Sequence, residues 1–155
     1  MAVAIDTNVL LDLVIRDAPH HAESVRSVSE AAVEGPLIVS EFVYAELAAH
    51  YDKEEIATFL ADTQVYLQRS SREALARAGE AWRHYLARRD RTAVSCPRCG
   101  SNSAITCRSC GNVYGVRQHA ITDFLIGAHA LVHAGRLLTR DRGYYATYFP
   151  DLVLV

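Results

Sequence analysis

The features that most constrain this chain are short apolar runs without polar alternation: residues 2–5 (AVAI) and 37–39 (LIV), followed much later by RLLT at 136–139 and LVLV at 152–155. A strand that is apolar on both faces must be covered on both faces, as in a parallel sheet lying between helical layers. The intervening stretches have helical spacing. TNVLLDLVI follows the first run, a helix is expected over about 20–33 until Gly35 and Pro36 stop it, and Ser40 is suited to cap a helix in EFVYAELAAH. Further helices are expected over about 53–61, 71–90 and 120–134, the last ending at Gly135. In the 71–90 helix, Leu75, Ala78, Trp82, Tyr85 and Leu86 are expected to share one side. TQVYLQ is ambiguous between strand and loop, and DRGYYATYFP reads as a turn or short helix. Strands alternating with helices give an α/β architecture with a mainly parallel sheet, whose site lies beyond the carboxyl ends of the strands.

With 155 residues the chain is expected to be a single domain, 1–155, around one core. No apolar run approaches the roughly 20 residues needed to cross a bilayer. MAVAID lacks the basic leader and apolar core of a secretory signal, so a cytoplasmic location without membrane association is expected. Thiols stay reduced there, and the four cysteines point to metal or redox chemistry before disulfides.

Four acids fall on the rim where such folds keep their chemistry. Asp6 ends the first run, Glu46 lies in the helix after the second, Asp123 lies in the first turn of its helix, and Asp141 comes just after RLLT. Glu46 is expected to face inward on a stripe with Phe42, Val43 and Ala49, and Asp123 sits in a segment without Lys or Arg between residues 121 and 134. A buried carboxylate must be paired, protonated or bound to metal. Converging carboxylates without a cationic partner make a hard-oxygen site suited to Mg²⁺ or Mn²⁺. Such ions activate water toward a phosphodiester, and hydrolysis would leave a 5′-phosphate and a 3′-hydroxyl. Thr7, Asn8 and Thr139 are expected to orient the acids. Taken singly, each acid has an ordinary structural explanation: Asp6 as a cap, Asp123 as compensation of a helix dipole, Asp141 as a turn residue.

Between the second and third acids stand Cys96-Pro-Arg-Cys99-Gly and Cys107-Arg-Ser-Cys110-Gly. Two CxxC pairs supply four thiolates for a closed tetrahedral Zn²⁺ site, structural rather than catalytic, with Gly100 and Gly111 allowing tight turns beneath the metal. The expected insertion spans residues 93–115. Residues 63–117 carry ten arginines against Glu73, Glu80 and Asp90, whereas the rest of the chain has fifteen acids against five arginines and Lys53. Arg88, Arg89, Arg91, Arg98, Arg108 and Arg117, in and around the knuckles, are the expected contacts to an RNA backbone.

IDTNVLLDL, SEFVYAELAAH, ITDFLIGAHAL and LLTRDRGYY together resemble the four acidic motifs of PIN-domain nucleases, especially VapC-like toxin ribonucleases. The resemblance covers essentially the whole chain outside the cysteine insert. It implies that Asp6, Glu46, Asp123 and Asp141 are metal-binding catalytic acids, supported by Asn8 and Thr139. It also implies a three-layer α/β/α sandwich, an RNA substrate and frequent dimerisation; a toxin of this type would have an antitoxin protein as partner. The insert departs from the VapC-like pattern; a PIN branch that processes pre-ribosomal RNA does carry a zinc ribbon, but after the nuclease domain instead of interrupting it, so the chain matches neither pattern fully. A noncatalytic zinc-ribbon RNA-binding module is the rival reading, and a phosphatase using Asp6 as nucleophile is disfavoured by the missing second Asp of a DxD pair. His129 and His133 lack the Glu of an HExxH site and read as core or helix-face residues; Tyr144, Tyr145 and Tyr148 read as packing residues.

Overall fold

The computed structural model describes residues 1–88, 94–95, 102–112 and 121–155. In chain order the elements are β1 (Val3–Ile5), α1 (Thr7–Val14), α2 (His21–Glu34), β2 (Leu37–Val39), α3 (Glu41–Leu47), α4 (Lys53–Asp62), β3 (Val65–Leu67) and α5 (Arg72–Arg88). A short hairpin of β4 (Val94–Ser95) and β5 (Asn102–Ser103) follows, then α6 (Ile121–His133), β6 (Arg136–Leu138), α7 (Arg142–Tyr148) and β7 (Val153–Leu154).

Five strands form one sheet in the order β3-β2-β1-β6-β7, and every pairing is parallel. The apolar runs explain this: β1 and β2 are buried along their whole length, so each is covered on both faces. The result is a three-layer α/β/α sandwich. Helix α6 packs on β1 and β6 and carries α5, while α2 packs on the same two strands. From β1 the chain winds outward through β2 and β3, then returns to place β6 on the other side of β1. The direction of winding therefore reverses between β1 and β6, opening a crevice beyond their carboxyl ends.

Two local expectations are corrected, and one left open is resolved. Helix α3 stops at Leu47, so Ala49 lies in a turn, exposed, and does not extend the Glu46 stripe. Leu75 is 45% exposed, because α5 buries Ala74, Ala78, Ala81 and Tyr85, a face of mostly small residues that lets it lie close to α6. TQVYLQ contains a strand, β3, on the sheet edge, where only Val65 of its three residues is buried.

The termini of α6 are set by chemistry legible in the sequence. Gly135 takes φ +71, and its N–H reaches the Ala130 carbonyl at 2.8 Å, closing the helix. At the other end Phe124, fully buried, is surrounded by Trp82, Tyr85, Tyr144 and Tyr148 with ring centroids 5.1–5.5 Å away. His129 and His133 are structural: an imidazole nitrogen of His129 lies 2.8 Å from the Gln68 carbonyl, and His133 accepts from the Ser71 N–H at 3.1 Å. These bonds tie α6 to the segment leading from β3 to α5.

Of the expected insertion, the described part is an antiparallel hairpin separate from the main sheet, followed by a turn in which Gly111, at φ +73, donates to the Cys107 carbonyl at 2.8 Å. Cys107 is half-buried and Cys110 exposed. Cys96, Cys99, Gly100, Arg89, Arg91, Arg98 and Arg117 lie outside the described residues. Among the described residues no helix is long and apolar enough to cross a membrane.

Candidate active site

Asp6 leaves β1 at the winding reversal and caps α1, its Oδ1 accepting from the Thr7 N–H at 2.8 Å. Its Oδ2 accepts from Thr139 Oγ1 at 2.6 Å and from Asn8 Nδ2 at 2.7 Å. Because Thr139 follows β6 directly, its bond joins the carboxyl ends of β6 and β1, while the Asn8 bond is local to the start of α1. Thr7 also donates its hydroxyl to Glu46 Oε2, joining the second acid to the first through one residue. Thr139 Oγ1 accepts from the Asp141 N–H at 3.0 Å and so fixes the turn that carries the fourth acid. Asp141 also caps α7, accepting from Tyr144 N–H at 3.5 Å. The capping roles expected of the acids taken singly are thus present alongside their convergence.

Asp6 is buried, Glu46 and Asp123 are half-buried, and Asp141 is exposed at the rim. Glu46 therefore faces only partly inward. Burial pushes the Asp6 carboxyl up to about 6; the bonds from Thr139 and Thr7 oppose the rise, and the negative charges of Asp123 and Glu46 add to it. Beneath them the buried Tyr145 hydroxyl is raised well above the usual phenol range, first by burial and then by Asp6, Asp123 and Asp141.

Among the described residues Asp6, Glu46 and Asp141 have no ion-pair partner. The same residues contain no group of three His, Cys, Asp or Glu side chains closed tightly enough to hold an ion by themselves. The donors are all oxygen, and the charge at Asp6 is uncompensated by any described cation. That combination fits a hard divalent ion held in an open site with water completing its shell.

Sequence reasoning overlooked Asp12. Its carboxylate is buried on α1, accepts from Ser24 Oγ at 2.8 Å, and pairs with Arg140 Nε at 3.0 Å. Arg140 in turn donates through Nη2 to the Asn8 carbonyl at 3.3 Å and through its N–H to Asn8 Oδ1 at 3.4 Å. The available signal was an acid three positions after Val9 on the apolar face of α1. Glu41 was also overlooked; it accepts from the backbone and hydroxyl of Ser70 at 2.9–3.2 Å and anchors the segment after β3. Arg88 and Arg108 are exposed, and no described contact brings either to the acids.

A doubly wound α/β domain with carboxylates gathered at its winding reversal is the class that fold and site define. The family model of the PIN domain matches residues 3–150, and the chain belongs to the PIN-domain family. No curated protein matches it. Two solved structures share the fold: VapBC2 from Rickettsia felis, bound to a DNA fragment from their promoter, at TM-score 0.62, and VapBC-1 from nontypeable Haemophilus influenzae, at 0.63. Both are 17% identical over 100% of this chain, and 98% and 97% of their own chains are covered.

Proposed function

We propose that the protein is a metal-dependent endoribonuclease that hydrolyses RNA phosphodiesters to 5′-phosphate and 3′-hydroxyl ends. The observation that carries this reading is the buried, uncompensated Asp6 with Asp123 and Glu46 charges beside it in the crevice between β1 and β6. Asp6, Glu46, Asp123 and Asp141 would hold Mg²⁺ or Mn²⁺, which supplies a water of lowered pKa and charge stabilisation at the departing oxygen. The chain's own part is orientation: Thr139 and Asn8 fix Oδ2 of Asp6, the Thr7 N–H fixes Oδ1, and the Thr7 hydroxyl aims Glu46. The bonds from Thr139 and Thr7 favour the ionised form of the Asp6 carboxylate, against the opposing effect of its burial.

Cys96, Cys99, Cys107 and Cys110 would hold a structural Zn²⁺. The turn at Gly111 supports this, since a CxxCG knuckle needs such a reversal after its second cysteine. Arginines of the insert would grip the RNA backbone. The likeness to VapBC structures supports a toxin role with an antitoxin partner, and self-association as a homodimer belongs to the same reading.

The test is incubation of single-stranded RNA with the chain in Mn²⁺ and chemical mapping of the new ends. Cleavage giving 5′-phosphates, abolished in Asp6→Asn and Asp123→Asn variants with unchanged circular dichroism, is the expected result. RNA binding without cleavage in the wild type would favour the noncatalytic module.

A further inference from the structure

A cleft of about 450 Å³ opens on the α2 side of the acid site, lined by Val9, His20, Ser24, Thr139, Arg140 and Arg142 among others. Thr139 is common to both places: it lines the cleft and donates to Asp6. We propose that this cleft is a phosphate subsite, binding the RNA phosphodiester next to the one presented to the acids. The proposal rests on the nuclease reading, since a strand that offers one phosphate to carboxylates must hold its neighbours against cations.

Arg140 is preorganised for this task. The buried Asp12 holds Nε and the Asn8 carbonyl holds Nη2, so among the described residues two of the five guanidinium N–H donors are engaged and three remain. The side chain is nevertheless 41% exposed. A guanidinium already fixed in place loses little conformational freedom when a phosphate meets its free edge. This gives the Asp12–Ser24–Arg140 network a use that stability alone does not require, because a half-buried ion pair contributes little net stability.

Arg142, two residues on, is exposed and has no ion-pair partner among the described residues. His20 and Glu23 complete the outer lip, paired at 3.5 Å, so the carboxylate there is already turned to a neighbour. The apolar floor of Val9, Leu138 and Val155 offers contact to a sugar or base. Arg140 and Arg142 flank Asp141, so substrate charge and catalytic charge would be handled by one turn of chain.

The test measures binding of a short fluorescein-labelled single-stranded oligoribonucleotide to the Asp123→Asn chain in Mg²⁺, by anisotropy across a salt series. Adding Arg142→Ala should weaken binding about fivefold and reduce the log–log salt slope by about 0.7, the loss of one phosphate contact. Adding Arg140→Met should weaken it as well, while Arg26→Ala, outside the cleft, should leave it within twofold. Affinity and slope unchanged by Arg142→Ala, or absence of RNA binding by the parent chain, would overturn the subsite. So would a loss confined to binding of a poly-glutamate peptide, which would assign the cleft to a protein ligand. Cleavage by the unsubstituted chain is read separately: cleavage with Arg142-independent binding removes the subsite alone, and Arg142-dependent binding without cleavage removes the nuclease reading alone.

Discussion

Asp6 concentrates the conflict between folding and chemistry at a single residue. Burial holds its pKa at about 6 against an ordinary 3.8, which corresponds to about 3 kcal/mol of differential stability. An acid with a raised folded-state pKa favours the fold below its unfolded pKa and loses that contribution as pH rises through the folded value. The metal-free protein therefore carries the full charging cost above about pH 6. Asp6→Asn should raise its Tm at pH 8 by several degrees, and the difference between variant and wild type should shrink toward pH 4 when followed by differential scanning calorimetry. A pH-independent difference would mean that the carboxylate is not charged against resistance. Asp6, Asp123 and Asp141 were legible because each stands where a strand ends or a helix begins, and Glu46 because it follows Phe42 and Val43 on the helix after β2. Asp12 was not, since its partner Arg140 lies far along the chain and only the fold joins them.

At the scale of elements, α6 is the strut that presents Asp123, and its seat is aromatic. Phe124→Ala should destabilise the fold by about 3–5 kcal/mol in urea unfolding, because its ring fills the centre of the Trp82, Tyr85, Tyr144 and Tyr148 cluster. Gly127 is required by close approach: a Cβ there would lie 2.4 Å from the Phe149 ring and 3.0 Å from that of Tyr145. Gly127→Ala should cost about 1–3 kcal/mol despite alanine's better helix propensity, since the clash lies in a packed core. A neutral or stabilising result would show that α7 shifts freely. Strand and helix order could be read from apolar runs and helical periodicity. The end of α3 could not, because no glycine or proline marks Leu47, and the exposure of Leu75 depends on how closely α5 approaches α6.

At the scale of the molecule, parallel winding sets β1 and β6 side by side where its direction reverses, with Asp6 and Thr139 joined at their carboxyl ends. The apolar runs of β1, β2 and β6 implied a parallel sheet with its site beyond the carboxyl ends of the strands, whereas the order β3-β2-β1-β6-β7, with the partly exposed β3 and β7 at its edges, was not legible from them. The two-stranded hairpin of the cysteine segment is separate from the main sheet. Purified protein should carry about one Zn²⁺ per chain, by metal analysis, and chelation should leave the sheet folded while abolishing insert contacts. Zinc-free protein with intact RNA affinity would deny the insert a role in substrate capture. The central claim is that Asp6 and its neighbours share a divalent ion, and calorimetric titration of Mn²⁺ at pH 7.5 tests it most directly. Saturable binding that is lost in Asp6→Asn and in Asp123→Asn is expected; binding that is absent from the wild type, or unchanged in both variants, would contradict it.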